Sequence, residues 1–493
     1  MMTRTMLYGL LASGLTTLIS CKQQTTEKAA PTPPNIVFIM ADDLGYGDIG
    51  TYGQEKIATP FLDEMARQGI HFSNFYAGTS VCAPSRASLM LGKHTGHLAI
   101  RGNRQDSVYG GQMALLDTDR TIAEYLKKVG YTTKLIGKWG LGNPRSSGDP
   151  SQQGFDSYYG YTDQILAHNY YPEFLWKDGE KQSLDNTVQY LEKDAWHGGL
   201  GSYSTEKKEY SHDLFMKETV AFLETERSEP FFLYLSLTIP HDNGEQLDSM
   251  RFEVPQQGVY KNKKWTKNQK DYAAMITRMD QGIGTVMETL KKQGLDDNTL
   301  VIFTSDNGPM RQMPTTAFFN SNGPFRGGKR DLYEGGIRMP FIAKWPGKIK
   351  PNSVSDHPSA FWDILPTLSE LAGNPLTQND ETDGISFVPT LLAQEQTQKH
   401  PALYWEFHGS KEVLQAVRKD NYKLVKKMSR QDTIVRWELF DIATDAEELT
   451  DLYERRPKIA LELRTLLQES HLESPVFVLP DEQKERSVGY TGH

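Results

Sequence analysis

Unbroken apolar runs and helically spaced segments alternate along this chain. NIVFIM (35–40), FFLYLSL (231–237) and TLVIFTS (299–305) are apolar runs of the kind buried on both faces of a sheet. TTKLIG (132–137) reads as a further strand. TPFLDEMARQG (59–69) has helical spacing, with Thr59 as N-cap, Pro60 in the first turn and Gly69 past the end. RTIAEYLKKVG (120–130) is a second helix, and a long amphipathic one covers about 272–293, closed by Gly294. This alternation predicts an α/β fold: a large mixed, mostly parallel sheet flanked by helices. Residues 162–210 are aromatic and polar without a clear period and read as an insertion or lid. From about 402 the pattern shortens. ALYWEFHG, LQAVRKDNYKLVKK and RWELFDIATD predict antiparallel strands of a small C-terminal α+β domain.

The first residues have a different character. Arg4 precedes an apolar stretch at 6–19 that is too short to span a bilayer. Leu18-Ile19-Ser20-Cys21 then resembles a bacterial lipobox, in which the cysteine is lipidated and becomes the first mature residue. The expected layout is a lipoprotein signal peptide at 1–20, a Pro-rich tether at 21–34, a main domain at 35–395 and the small domain at 396–493. Such a chain is exported and lipid-anchored, in the periplasm or at the outer cell surface. With Cys21 lipidated, the second of two cysteines, Cys82, has no disulfide partner in the chain.

The net charge of −9 is spread without a long run of one sign. No basic stripe marks a nucleic-acid partner. The field of the whole protein repels an anion, so an anionic substrate requires a local cluster of Lys, Arg or metal.

Ligands of an open parallel sheet sit beyond the carboxyl ends of its strands. Two predicted strands end in polar pairs there, Asp42-Asp43 and Asp306-Asn307. Three carboxylates and one amide oxygen at one edge suit Ca2+ or Mg2+, although either pair alone also serves as a loop cap. Cys82 precedes Pro84 and falls at a helix N-terminus, with Arg86 one turn on. A small buried thiol is the plainer alternative.

CAPSRASLMLG (82–92) resembles the sulfatase signature, Cys-x-Pro-Ser-Arg followed by a Thr-Gly. GYTTKLIGKWGLG, VIFTSDNG and GGKRDLYEGGIR resemble three further stretches of that family, in its order. The resemblance implies an alkaline-phosphatase-like fold and hydrolysis of a sulfuric ester. It implies that a maturation enzyme converts Cys82 to Cα-formylglycine (3-oxoalanine), whose hydrate supplies the attacking oxygen. Asp42, Asp43, Asp306, Asn307 and residue 82 would hold one Ca2+. Arg86 would steady the hydrate, Lys138 and Lys329 would hold sulfate oxygens, and His241 would act at the leaving-group oxygen.

Two positions depart from the family pattern. Lys138-Trp139-Gly140 stands where Lys-Trp-His is usual, so Gly140 replaces the His, and Leu91 stands where the signature usually has Thr. The expected substrate is a sulfated carbohydrate with galactose or N-acetylgalactosamine units. Candidate sugar contacts are His94, His97, Arg101, Asn103, His168, Trp405, Glu406 and His408, each equally readable as a packing or loop residue. The alternatives are a phosphomonoesterase or phosphonate monoester hydrolase of the same superfamily, and a glycan-binding lipoprotein with little catalysis.

Overall fold

The computed structural model describes residues 1–2, 33–105, 111–192, 201–432 and 434–482. Residues 3–32, with the rest of the leader, Cys21 and the tether up to residue 32, lie outside the described residues. The strands, in chain order, begin with β1 (Asn35–Ala41), β2 (Ile70–Tyr76), β3 (Thr132–Lys138), β4 (Ser157–Tyr161), β5 (Phe174–Lys177) and β6 (Glu180–Ser183). A ribbon of β7 (Thr187–Tyr190) and β8 (Ser202–Glu206) follows. Then come β9 (Phe231–Ser236), β10 (Thr299–Ser305), β11 (Arg338–Lys344), β12 (Ser353–Ser355) and β13 (Ser359–Ala360).

Eleven of these strands form one sheet, in the order β12-β2-β11-β10-β1-β9-β3-β4-β5-β6 with β13 beside β2. β1 pairs in parallel with β9 and β10, β9 with β3, and β3 with β4. β11 lies antiparallel between β10 and β2, and β5 lies antiparallel against β4. The sheet is therefore mixed and mostly parallel.

The apolar run of β1 follows from its central place. Ile36, Phe38 and Met40 enter the core on one face, and Val37, Ile39 and Ala41 enter the core on the other. Helices α1 (Pro60–Gln68), α2 (Cys82–Leu91), α3 (Ile122–Lys128), α4 (Ser211–Glu224) and α5 (Lys267–Lys292) cover the sheet. α1, α4 and α5 bury Leu62, Phe215 and Ile283 on one face, while α2 and α3 bury Leu89 and Leu126 on the other. Each such side chain contributes roughly 1.5–3 kcal/mol. Thr59 is the N-cap residue of α1, but its side chain does not cap the helix. Asp280 of α5 does, accepting from Phe61 N (3.2 Å) and Leu62 N (2.8 Å).

The segment 162–210 differs from the expected insertion or lid. β5 and β6 extend the sheet edge, and Tyr170, Tyr171, Leu175 and Tyr210 are buried in the core. Its aromatic residues lack a period because several come from turns between short strands. The C-terminal sheet is an antiparallel meander of β14 (Leu403–His408), β15 (Glu412–Lys419), β16 (Tyr422–Ser429) and β17 (Val435–Asp441). A helix at Pro457–Glu469 packs on it through Leu463 and Leu467. Its other face sets Trp405 and Phe407 against Tyr76 and Trp362 of the main body. Among the described residues no helix is long and apolar enough to cross a membrane.

Candidate active site

The strands β10, β1, β9 and β3 end side by side, and the polar residues at or just past their carboxyl ends meet. Consecutive strand residues point to opposite faces, but Asp43 adopts a left-handed φ of 59°. The alternation breaks there, and Asp42 and Asp43 join one cluster. Asp43 N donates to Asp306 Oδ1 at 3.1 Å, and Asn307 Nδ2 donates to Asp43 Oδ1 at 2.7 Å.

Three cations match the three carboxylates. Lys138, the last residue of β3, donates to Asp42 Oδ2 at 2.6 Å. Lys329 arrives on the loop before β11 and donates to Asp43 Oδ2 at 2.7 Å. Arg86 donates to Asp306 Oδ2 (2.7 Å), to Lys138 O (2.9 Å) and to Ser236 Oγ (2.5 Å). All six side chains are buried. Cys82 opens α2, with its Sγ 3.5 Å from Asp42 Oδ1. Asn103 caps the same helix end, accepting from Ala83 N at 3.2 Å.

Burial alone would raise the Asp42 carboxyl, but the surrounding positive charges, Lys138 foremost, hold it well below the usual carboxylate range. Burial and the neighbouring Asp42 charge push Asp306 up to about 6. Burial pushes the Cys82 thiol up to about 12. His241 is depressed well below its ordinary value by burial and then by the Lys329 charge. Its Nδ1 donates to Asp242 O at 2.7 Å, so the neutral ring accepts from Lys329 Nζ through Nε2, at 2.8 Å.

The donor set fits a hard divalent cation. Asp42, Asp43 and residue 82 each present a donor atom within 4.8 Å of the others, as does His241, whose Nε2 is engaged by Lys329. Asn307 Oδ1 is buried in this cluster without a hydrogen-bond partner, as an oxygen reserved for a cation would be. With three carboxylates already balanced, a dication leaves a net positive site. That gives an anion the local attraction that the overall charge of −9 denies it.

Comparison with known proteins gives this geometry a family. Residues 34–374 match the sulfatase family, and residues 325–473 match the C-terminal region of N-sulphoglucosamine sulphohydrolase. The chain belongs to the sulfatase family. It is 31% identical to human N-acetylgalactosamine-6-sulfatase over 409 residues, covering 76% of this chain and 69% of that one. It is 29% identical to N-acetylgalactosamine-6-O-sulfatase of Bacteroides thetaiotaomicron over 521 aligned positions, covering 93% and 97%. The crystal structure of Ps i-CgsB superposes with a TM-score of 0.75 at 27% identity, covering 94% of this chain and 98% of that one.

In this sulfatase the other candidate contacts divide into two groups. Asn103 and His168 lie at the site, and the ring of His168 stacks on His241 with centroids 4.5 Å apart and planes 15° apart. The rest belong to the framework. His94 and His97 follow the far end of α2, where Asp383 accepts from His94 N and bonds His97 Nδ1, at 2.9 and 2.8 Å. Gly96 N donates to His94 Nδ1, so a neutral His94 carries its proton on Nε2, toward Asp383. Trp405 is fully buried, with Nε1 donating to Ala77 O at 3.0 Å. Glu406 is equally buried and bonds Arg101 (3.1 Å), His408 (2.7 Å) and His471 (2.7 Å), joining the small sheet to the main body.

Both departures from the family pattern have a local account. Leu91 is the last residue of α2 and packs in the core. It lies nine residues from Cys82, roughly 13 Å along the helix. Gly140 has a φ of 72°, and the amide of Gln164 fills the space beside it. A Cβ at position 140 would lie 2.6 Å from Gln164 Cδ. Gln164 and Glu245, which bonds His168, were not legible as site residues. A lone Gln or Glu in a loop carries no motif.

Proposed function

We propose that this sulfatase removes sulfate from a sulfated carbohydrate, using a formylglycine nucleophile at position 82 and a bound Ca2+. One observation carries this: Cys82 opens α2 with its Sγ 3.5 Å from Asp42, inside the ring of Lys138, Lys329 and Arg86. A thiol pushed up to about 12 is almost wholly protonated at neutral pH and a weak nucleophile as it stands. Conversion to the aldehyde hydrate by a formylglycine-generating enzyme supplies an oxygen nucleophile in the same place. Asp42, Asp43, Asp306 and Asn307, with residue 82, would hold the Ca2+, which when bound would polarise the ester and favour the deprotonated nucleophile.

The protein's own groups do the rest. Lys138 and Lys329 hold the sulfate oxygens, and Arg86 fixes the nucleophile between Asp306 and the end of β3. His241 sits beside Lys329 as an acceptor, so the proton for the leaving oxygen passes through the Lys329–His241 pair rather than from a free imidazolium. General acid help of this kind is worth about 10^2–10^4 in rate.

Two relatives act, by name, on N-acetylgalactosamine 6-sulfate. A structural neighbour at 26% identity was crystallised with k-i-k-neocarrahexaose. These support galactose or N-acetylgalactosamine units as the leaving group. We further propose that residues 1–20 direct export and that lipidated Cys21 anchors the enzyme, facing the periplasm or the outside. Sulfate release from a panel of sulfated galactose, N-acetylgalactosamine and glucosamine sugars tests the substrate, with an aryl phosphate as control. Turnover confined to sulfate esters is expected. A clear preference for the phosphate would replace this reading with a phosphomonoesterase.

A further inference from the structure

His168 stands on a short turn, Leu166–His168, that follows β4. The turn is fixed at its start, where Asp163 Oδ1 accepts from Ile165 N (2.7 Å) and Leu166 N (3.0 Å). The same stretch grips the loop that follows β9 and carries His241. The Tyr170 hydroxyl lies 2.6 Å from Thr238 O and 2.7 Å from His241 O. The His168 ring lies nearly parallel on the His241 ring. Glu245, four residues after His241 and with its side chain wholly buried, places its carboxylate oxygens 3.1 and 3.3 Å from His168 Nδ1.

A carboxylate that brackets one ring nitrogen sets both the tautomer and the plane of a histidine. Nδ1 is the donor to Glu245, which turns the opposite edge of the ring away from that carboxylate. His168 keeps part of its side chain open to solvent beside an otherwise buried His241. Apolar packing would not demand a buried carboxylate here, because burying one without a well-placed partner is costly.

We infer that Glu245 is a positioning residue that locks His168 parallel to His241, and that the locked His168 contacts the leaving-group sugar. This deepens the proposed carbohydrate-sulfate activity and rests on it. The dyad uses two loops far apart in sequence, so leaving-group recognition is tied to the loop that carries His241. His168 then reads a sugar hydroxyl next to the scissile ester, a group that a small aryl sulfate lacks.

A double-mutant cycle on the full-length matured enzyme tests this. With a sulfated sugar as substrate, His168→Ala and Glu245→Ala each lower kcat/KM about 10- to 100-fold, and the double variant falls no further than the worse single one. With an aryl sulfate, which offers no sugar hydroxyl, each loss is several-fold smaller than on the sugar, and Glu245→Gln retains most of the wild-type rate on the sugar. Additive losses, or equal losses on sugar and aryl substrates, would overturn the dyad. A crystal structure of Glu245→Ala supplies a readout that needs no substrate. The His168 ring should leave its near-parallel stack on His241, and an unmoved ring would also overturn the proposal. If the wild type cleaves the aryl sulfate and no sulfated sugar, the carbohydrate assignment and the sugar contact fail together, while the ring geometry still decides the positioning role of Glu245.

Discussion

The Gln164 amide occupies the space in which a side chain at Gly140 would begin, just past the end of β3 that carries Lys138. The Gln164 backbone N–H donates to Gln112 Oε1 at 2.9 Å, its side-chain Nε2 donates to Gly140 O at 3.4 Å, and a Cβ at position 140 would lie 2.0 Å from that Nε2. Gly140→Ala should therefore destabilise the protein by about 2–5 kcal/mol, from the left-handed φ and from overpacking. Adding Gln164→Ala should recover the overpacking share and leave about 1–2 kcal/mol. Urea unfolding of the two variants checks this; equal stability in both would mean that Gln164 is not what fills the site.

Lys138 is matched to Asp42 at 2.6 Å, as Lys329 is to Asp43 at 2.7 Å. Lys138→Ala should cut kcat/KM on sulfate esters by about 10^2–10^3, the usual effect of removing one fixed charge stabiliser. Initial-rate kinetics at subsaturating substrate measure it. A loss below about threefold would remove Lys138 from the sulfate-binding set.

Binding of Ca2+ should stabilise the fold by mass action, by about 2.7 kcal/mol at a hundred times Kd. Thermal unfolding of chelated protein, with and without added Ca2+, measures this without any substrate. The rise in Tm should be lost in Asn307→Ala, whose unpartnered Oδ1 is the amide oxygen of the proposed set. An undiminished rise in that variant would place the ion elsewhere.

Protein made without the maturation enzyme keeps the thiol at position 82. With its pKa pushed up to about 12, this thiol stays protonated at pH 8 and should resist iodoacetamide in the folded state. It should react readily after unfolding, where its pKa returns to about 8.5. Rapid labelling of the folded protein would contradict the burial of Cys82.

What the sequence revealed followed from local pattern. The run at 35–40 announced a strand covered on both faces because Ile36 to Ala41 of β1 enter the core alternately on its two sides. Asp42-Asp43 and Asp306-Asn307 could be paired because parallel neighbours end at one edge. The framework role of Trp405, Glu406 and His408 could not be read, since Trp, Glu and His serve equally as sugar contacts and as a buried ion network. Only the partners Arg101, His471 and Ala77, distant in sequence, decide between these. Gln164 was invisible for the same reason: its effect on Gly140 acts across 24 residues, between strands whose register only the fold supplies.

Inorganic sulfate released from a sulfated galactose or N-acetylgalactosamine substrate, by matured wild-type enzyme and by Cys82→Ala side by side, tests the central claim most directly. The account expects steady release by the wild type and background release by the variant, with the variant unchanged in Tm within a few degrees. Turnover by Cys82→Ala at a rate near that of the wild type would contradict it.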